Sequence, residues 1–132
     1  MIRVIYRWKV HAGQEDAFAQ GWGQGTRTIR ATYKGAHGSV LLRSQCEPSE
    51  FIGIAQWESL QDCQTFWRSA HPDPEAFRIV SETGTFLSRE VCEEIQDLED
   101  GWVARGGSGR SAEWLRVASG RAGEPDAALW GP

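Results

Sequence analysis

Cysteine is scarce in this chain: Cys46, Cys63 and Cys92 are the only three in 132 residues, and they lie far apart. No CxxC pair or zinc-ligand spacing can be built from them, and a dispersed, odd set suits reduced thiols packed as small apolar groups. Basic runs are lacking too. The 14 Lys and Arg residues are scattered among 18 Asp and Glu, for a formal charge of −4. Nucleic acids and anionic membranes are bound through clustered cations, so neither is expected as a partner. Long apolar runs are also missing, and no window approaches the roughly 20 apolar residues that cross a bilayer. The stretch from Met1 to Arg7 carries charge where a signal peptide would be unbroken and apolar. The expectation is a cytoplasmic protein with no metal site.

What is present is ordinary for a globular protein, at 40% hydrophobic and 24% charged residues. The length allows one domain with a real core and not two. Seven tryptophans are the exception. So many large rings do not all fit one small core, so some should line a cavity or reach the surface.

Ile2, Val4, Tyr6, Trp8 and Val10 alternate with Arg3, Arg7 and Lys9, the period of a strand with one apolar face. Glu15 and Asp16 then open a helix predicted from about residue 14 to 33, with Phe18, Trp22, Gly25 and Ile29 on one stripe. Gly21, Gly23 and Gly25 interrupt it, each at a cost of about 1 kcal/mol of helix propensity. They imply either close packing against the sheet or room beneath the helix for a ligand. Residues 34–38 read as a turn, 39–44 as a second strand, 46–50 as a hairpin loop and 51–57 as a third strand, apolar on both faces and so buried on both. Ser59 to Asp62 match a capping pattern that starts a helix with Leu60, Cys63, Phe66, Trp67 and Ala70 inward. His71, Pro72, Asp73 and Pro74 stop it, a short helical turn follows over 75–80, and residues 85–95 form the last strand.

Glu90, Glu93, Glu94, Asp97, Glu99 and Asp100 read as a solvated acidic stretch. The domain is expected to span residues 1–96, and 97–132 a Gly-rich, largely flexible tail. Within that tail a helical turn is predicted over residues 111–119, with Trp114 and Trp130 as anchors.

This β-α-β-β-α-β order predicts an α+β, ferredoxin-like fold with a four-stranded antiparallel sheet. Right-handed crossovers place both helices on one face. The other face, bearing Arg3, Ile5, Arg7 and Lys9, then needs a second layer, and a second copy stacked on it gives a homodimer. A tail folded over the face is the alternative.

The frame from Val4 to Glu15, the turn Gly35-x-x-Gly38, and Gln56-Trp57-Glu58-Ser59 running into a helix that ends near His71 together resemble the antibiotic biosynthesis monooxygenase domain. The resemblance covers residues 2 to about 95 and implies a dimeric α/β barrel. It also implies an activity: the best-known members oxidise electron-rich polycyclic phenols with O₂ and no bound cofactor, while others bind and degrade haem. The implied pocket lies between helices and sheet. Tyr6, Trp8, Trp22, Trp57, Phe66, Trp67 and His71 are its candidate residues, with His71 as base (His37 second), Tyr6 as proton donor, and the other rings as walls for a small aromatic molecule. The chain departs from the haem-degrading branch, which has an Asn where Tyr6 stands and a Trp where Phe66 aligns, and it contains no Asn at all. The function implied is a small cofactor-independent monooxygenase. The alternatives are a non-catalytic dimeric ligand-binding or accessory barrel, and a haem-binding or haem-degrading protein with His71 as axial ligand.

Overall fold

A computed structural model of the chain describes residues 1–98 and the backbone of residues 113–120. The elements are β1 (Ile2–Val10), α1 (Glu15–Thr32), β2 (Ala36–Arg43), β3 (Glu50–Trp57), α2 (Leu60–Trp67), α3 (Pro74–Thr83), β4 (Gly84–Gln96) and β5 (Glu113–Gly120). The sheet order is β2-β3-β1-β4-β5, antiparallel at every pairing. The first four strands and the helices make an α+β, ferredoxin-like fold.

The alternation in β1 decides the layering. Val4, Tyr6, Trp8 and Val10 are buried beneath the helices together with Phe51, Ala55 and Trp57 of β3. Full burial of each large side chain contributes about 1.5–3 kcal/mol. The opposite face of β3 is less covered than its sequence suggests. Ile52, Ile54 and Gln56 are only half-buried, because no second layer lies over them among the described residues. Their cross-strand neighbours Val40 and Leu42 are exposed, whereas Ile5 is half-buried.

Two local features hold the helical layer. Ser59 accepts a hydrogen bond from the Asp62 N–H, and Asp73 accepts one from the Ala76 N–H, which caps α2 and α3. Gly21 explains part of the glycine cluster: a Cβ there would stand 2.6 Å from Ile79 Cγ2. The glycine therefore serves the close approach of α1 to α3, not to the sheet.

The acidic stretch is not uniformly solvated. Arg3 pairs with Glu94 at 3.0 Å and Asp97 at 3.5 Å across the open face. The helical turn expected over 111–119 is replaced by β5, which satisfies the backbone edge of β4. Nearly all of the expected linker, and Trp130, lie outside the described residues. No helix among the described residues is long and apolar enough to cross a membrane.

Candidate functional site

Alternation on β1 sends Tyr6 and Trp8 into the helix–sheet layer, where their rings stack with centroids 5.8 Å apart. The amphipathic face of α2 brings Trp67 to the same place, and its Nε1–H donates to the Tyr6 hydroxyl oxygen at 2.9 Å. Tyr6 is fully buried, and burial raises its pKa well above the ordinary phenol value, so the phenol stays protonated. Burial likewise pushes the Cys63 thiol up, which makes it an inert packing group.

Trp57 is fully buried and stacks on Phe66 at 5.8 Å, and Phe66 in turn lies edge-on to His71 at 6.0 Å. Trp22 reaches in from α1 above Gly53, where any Cβ would stand 3.0 Å from the Trp8 ring and 3.2 Å from Trp22 Nε1. Three buried polar atoms in this layer, Trp22 Nε1, Thr26 Oγ1 and Trp57 Nε1, have no hydrogen-bond partner among the described residues. Such groups ordinarily find a partner, and a bound water or ligand atom can supply one. All seven candidate residues thus lie on the helix-covered side.

His71 sits in the connection between α2 and α3, 8% exposed, between the Phe66 and Phe77 rings. Its Nδ1 accepts the Asp73 N–H at 2.9 Å. Asp73 also accepts from Gln24 and Thr28 of α1, which fixes this corner against the first helix. Burial lowers the imidazole pKa from 6.5 to about 4. The ring is therefore neutral near neutral pH. With Nδ1 as acceptor, its proton belongs on the buried Nε2. This geometry makes His71 a hydrogen-bond donor toward the interior and a poor proton acceptor. A haem iron could reach Nε2 only by displacing the rings packed around it. His37 is exposed and pairs with Glu58 at 2.8 Å, outside the layer.

One residue escaped sequence reasoning. Arg89 of β4 lies across from Tyr6 in the register, is 7% exposed, and holds its guanidinium carbon 3.7 Å from the centroid of the Trp67 ring. That distance is a close cation–π contact. A buried cation beside a phenol and an indole gives the layer a fixed positive charge, the kind of group that favours an organic anion. A β-bulge in the β1–β4 register, between Arg7 and Trp8, throws Leu87 outward and returns Phe86 to the inner face. A cleft of about 280 Å³, lined by Trp8, Phe77, Val80, Ser81, Gly84, Thr85 and Phe86, opens there between α3 and β4. Among the described residues no group of three or more His, Cys, Asp or Glu side chains could hold a metal ion.

The family model for antibiotic biosynthesis monooxygenases matches residues 1–82. The cofactor-independent oxygenase SnoaB from Streptomyces nogalater superposes with a TM-score of 0.62 at 18% identity, covering 74% of this chain and 96% of that one. A Bordetella bronchiseptica protein, provisionally assigned as an antibiotic biosynthesis monooxygenase, also gives 0.62, at 23% identity over 72% of this chain and 97% of its own. At such identities the likeness is one of fold. No curated protein matches the chain.

Proposed function

The chain belongs to the antibiotic biosynthesis monooxygenase family, and on that premise we propose that it is a cofactor-independent monooxygenase oxidising an electron-rich phenolic small molecule with O₂. The observation that carries this reading is the buried Arg89 guanidinium beside Tyr6 and Trp67, in a layer whose Trp8 stacks on Tyr6 and also lines the apolar cleft. Oxygenation without a cofactor needs the substrate as an anion, because only the electron-rich form gives an electron to O₂. A buried positive charge lowers the pKa of a phenol bound near it. The proton then leaves to solvent, and no resident base of high pKa is required. Aromatic walls hold the flat anion and keep water from the reacting carbon.

The reaction balances without an external reductant. A phenol with a free ring C–H combines with O₂ to give a quinone and water. One oxygen atom becomes the new carbonyl, and the other leaves with the two hydrogens that the substrate loses. In this scheme Arg89 stabilises the substrate oxyanion, His71 donates through Nε2, and Tyr6 is the neutral proton donor. Trp8, Trp22, Trp57, Phe66 and Trp67 form the walls.

Oxygen uptake with a panel of polyphenols tests the proposal. Wild type is expected to consume O₂, and Arg89→Gln to lose about 2–4 kcal/mol of transition-state stabilisation, the scale of one preorganised electrostatic group. Absence of uptake with every phenol leaves the second reading, a binding barrel without turnover. The low pKa of His71, which removes the base first expected, is the observation in its favour.

The active unit is a homodimer in this proposal, paired through the sheet face that carries Ile5, Val40, Leu42, Ile52 and Ile54. Such an apolar face wants a second layer. Light scattering at micromolar concentration should give twice the chain mass, and a monomer would contradict the pairing.

A further inference from the structure

Two rings stand between the cleft at α3 and β4 and the buried polar groups behind it. Trp8 screens Tyr6, and Phe77 screens His71. The two are not held alike. Trp8 is 1% exposed, stacked on Tyr6 with the planes 13° apart and met edge-on by Phe18 at 5.3 Å. Bare backbone at Gly53 lies beneath it, so close that a Cβ there would stand 3.0 Å from the ring. Phe77 is half-buried, packed against the core from α3 with the cleft at its side. Its ring centroid lies 5.5 Å from that of His71, at a tilt of 35°. Across the imidazole stands Phe66, fully buried and stacked on Trp57. His71 therefore has a fixed wall on the core side and a half-buried one toward the cleft.

The Asp73 corner sets this arrangement. Its N–H donates to His71 Nδ1 at 2.9 Å, and its carbonyl accepts the Phe77 N–H at 3.0 Å. With the backbone anchored at this corner, opening is a rotation of the Phe77 side chain between staggered rotamers, which costs less for a half-buried ring than for a buried one. Val80 and Ser81 line the same cleft, at the helical spacing that puts them on one face with Phe77. A phenyl turned along that face uncovers the imidazole.

We propose that Phe77 is a gate, its ring turning aside to admit the phenolic substrate from the cleft to His71 Nε2. The inference rests on the monooxygenase reading and adds the residue that controls entry. The substrate ring takes the place of the phenyl against the imidazole, so binding favours the open arrangement. Until then the closed ring keeps water from the layer. Phe77 is a positioning residue in this scheme, acting through access to His71.

Stopped-flow tryptophan fluorescence with a dihydroxyanthraquinone, a polycyclic phenol that quenches indoles, tests the proposal, because Trp8 lines the cleft. In wild type the observed rate should level off at high ligand concentration, at the rate of opening. Phe77→Leu should raise that ceiling about tenfold, since each buried CH₂-sized group not exposed on opening is worth about fourfold. Phe77→Ala should give rates that rise linearly throughout. The leucine variant keeps an apolar side chain on α3, so the test holds even where the alanine variant folds poorly. Nuclear magnetic resonance gives a second readout. The His71 ring signals, assigned by their loss in His71→Gln, should shift when wild type binds the ligand. A wild-type rate linear in ligand, a ceiling unchanged by both substitutions, or His71 signals indifferent to the ligand each overturn the gate while the cleft stands as the phenol site. No binding by wild type overturns both, and oxygen uptake tests the chemistry separately.

Discussion

Replacing Tyr6 by Phe probes the pairing at the centre of the site. Tyr6 is fully buried, and Phe keeps its ring and the stacking on Trp8. What is lost is the hydroxyl that accepts the Trp67 Nε1–H at 2.9 Å. The net worth of a neutral hydrogen bond is about 1 kcal/mol, but a buried donor left without its partner raises the loss to about 1–3 kcal/mol. Trp67 is only 9% exposed, so water cannot easily replace the phenol. With a urea slope of about 2 kcal/mol/M for a domain of this size, the midpoint should fall by roughly 1 M at unchanged slope. Trp67→Phe and the double variant complete a cycle whose coupling energy should be of order 1 kcal/mol. A midpoint within about 0.2 M of wild type, the precision limit of such curves, would refute the argument.

His71 should make stability depend on acid. Its folded pKa of about 4 lies below the ordinary 6.5, so the unfolded chain binds the proton more readily. The stabilisation is complete above pH 6.5 and is lost as pH falls toward 4, while Asp73, whose carboxyl is held below its ordinary value by the Ala76 N–H, stays ionised through the window. Urea midpoints across that range should fall more steeply for wild type than for His71→Gln, and parallel curves would count against the assignment. Gly21→Val should lower stability by about 1–3 kcal/mol by overpacking α1 on Ile79. Thermal melting should show partial recovery with Ile79→Ala, and simple additivity would contradict the contact.

The strand pattern of β1 carried much of the fold in plain view, because Val4, Tyr6, Trp8 and Val10 fall on one face at period two. The site was half legible. Tyr6, Trp8, Trp57 and Phe66 are large rings on elements whose faces were readable, and they do gather under the helices. The protonation of His71 was not readable, since it depends on burial between the Phe66 and Phe77 rings, and its tautomer on the Asp73 N–H reaching Nδ1. Arg89 was missed because a charge in a strand rich in Glu looks solvent-facing. Counted by twos from Val91 it falls on the inner face, and that misplaced charge was the available signal. Counting further would have placed Leu87 inward as well, but the bulge breaks the period there. In the sequence, β5 resembles a helical turn because Trp114, Leu115 and Val117 fit a short helical stripe. Its state is set instead by a partner edge, a non-local effect that no spacing records.

In the proposed reaction O₂ is split between the phenolic substrate and water beside Arg89, Tyr6 and Trp67. Turnover with isotopically labelled dioxygen tests it most directly. Mass spectrometry should find one labelled atom in the quinone and the other in water, with no flavin or metal added, and Arg89→Gln should form labelled quinone about 30- to 1,000-fold more slowly. A product that carries no label, or label incorporated equally fast by the variant, would contradict the claim.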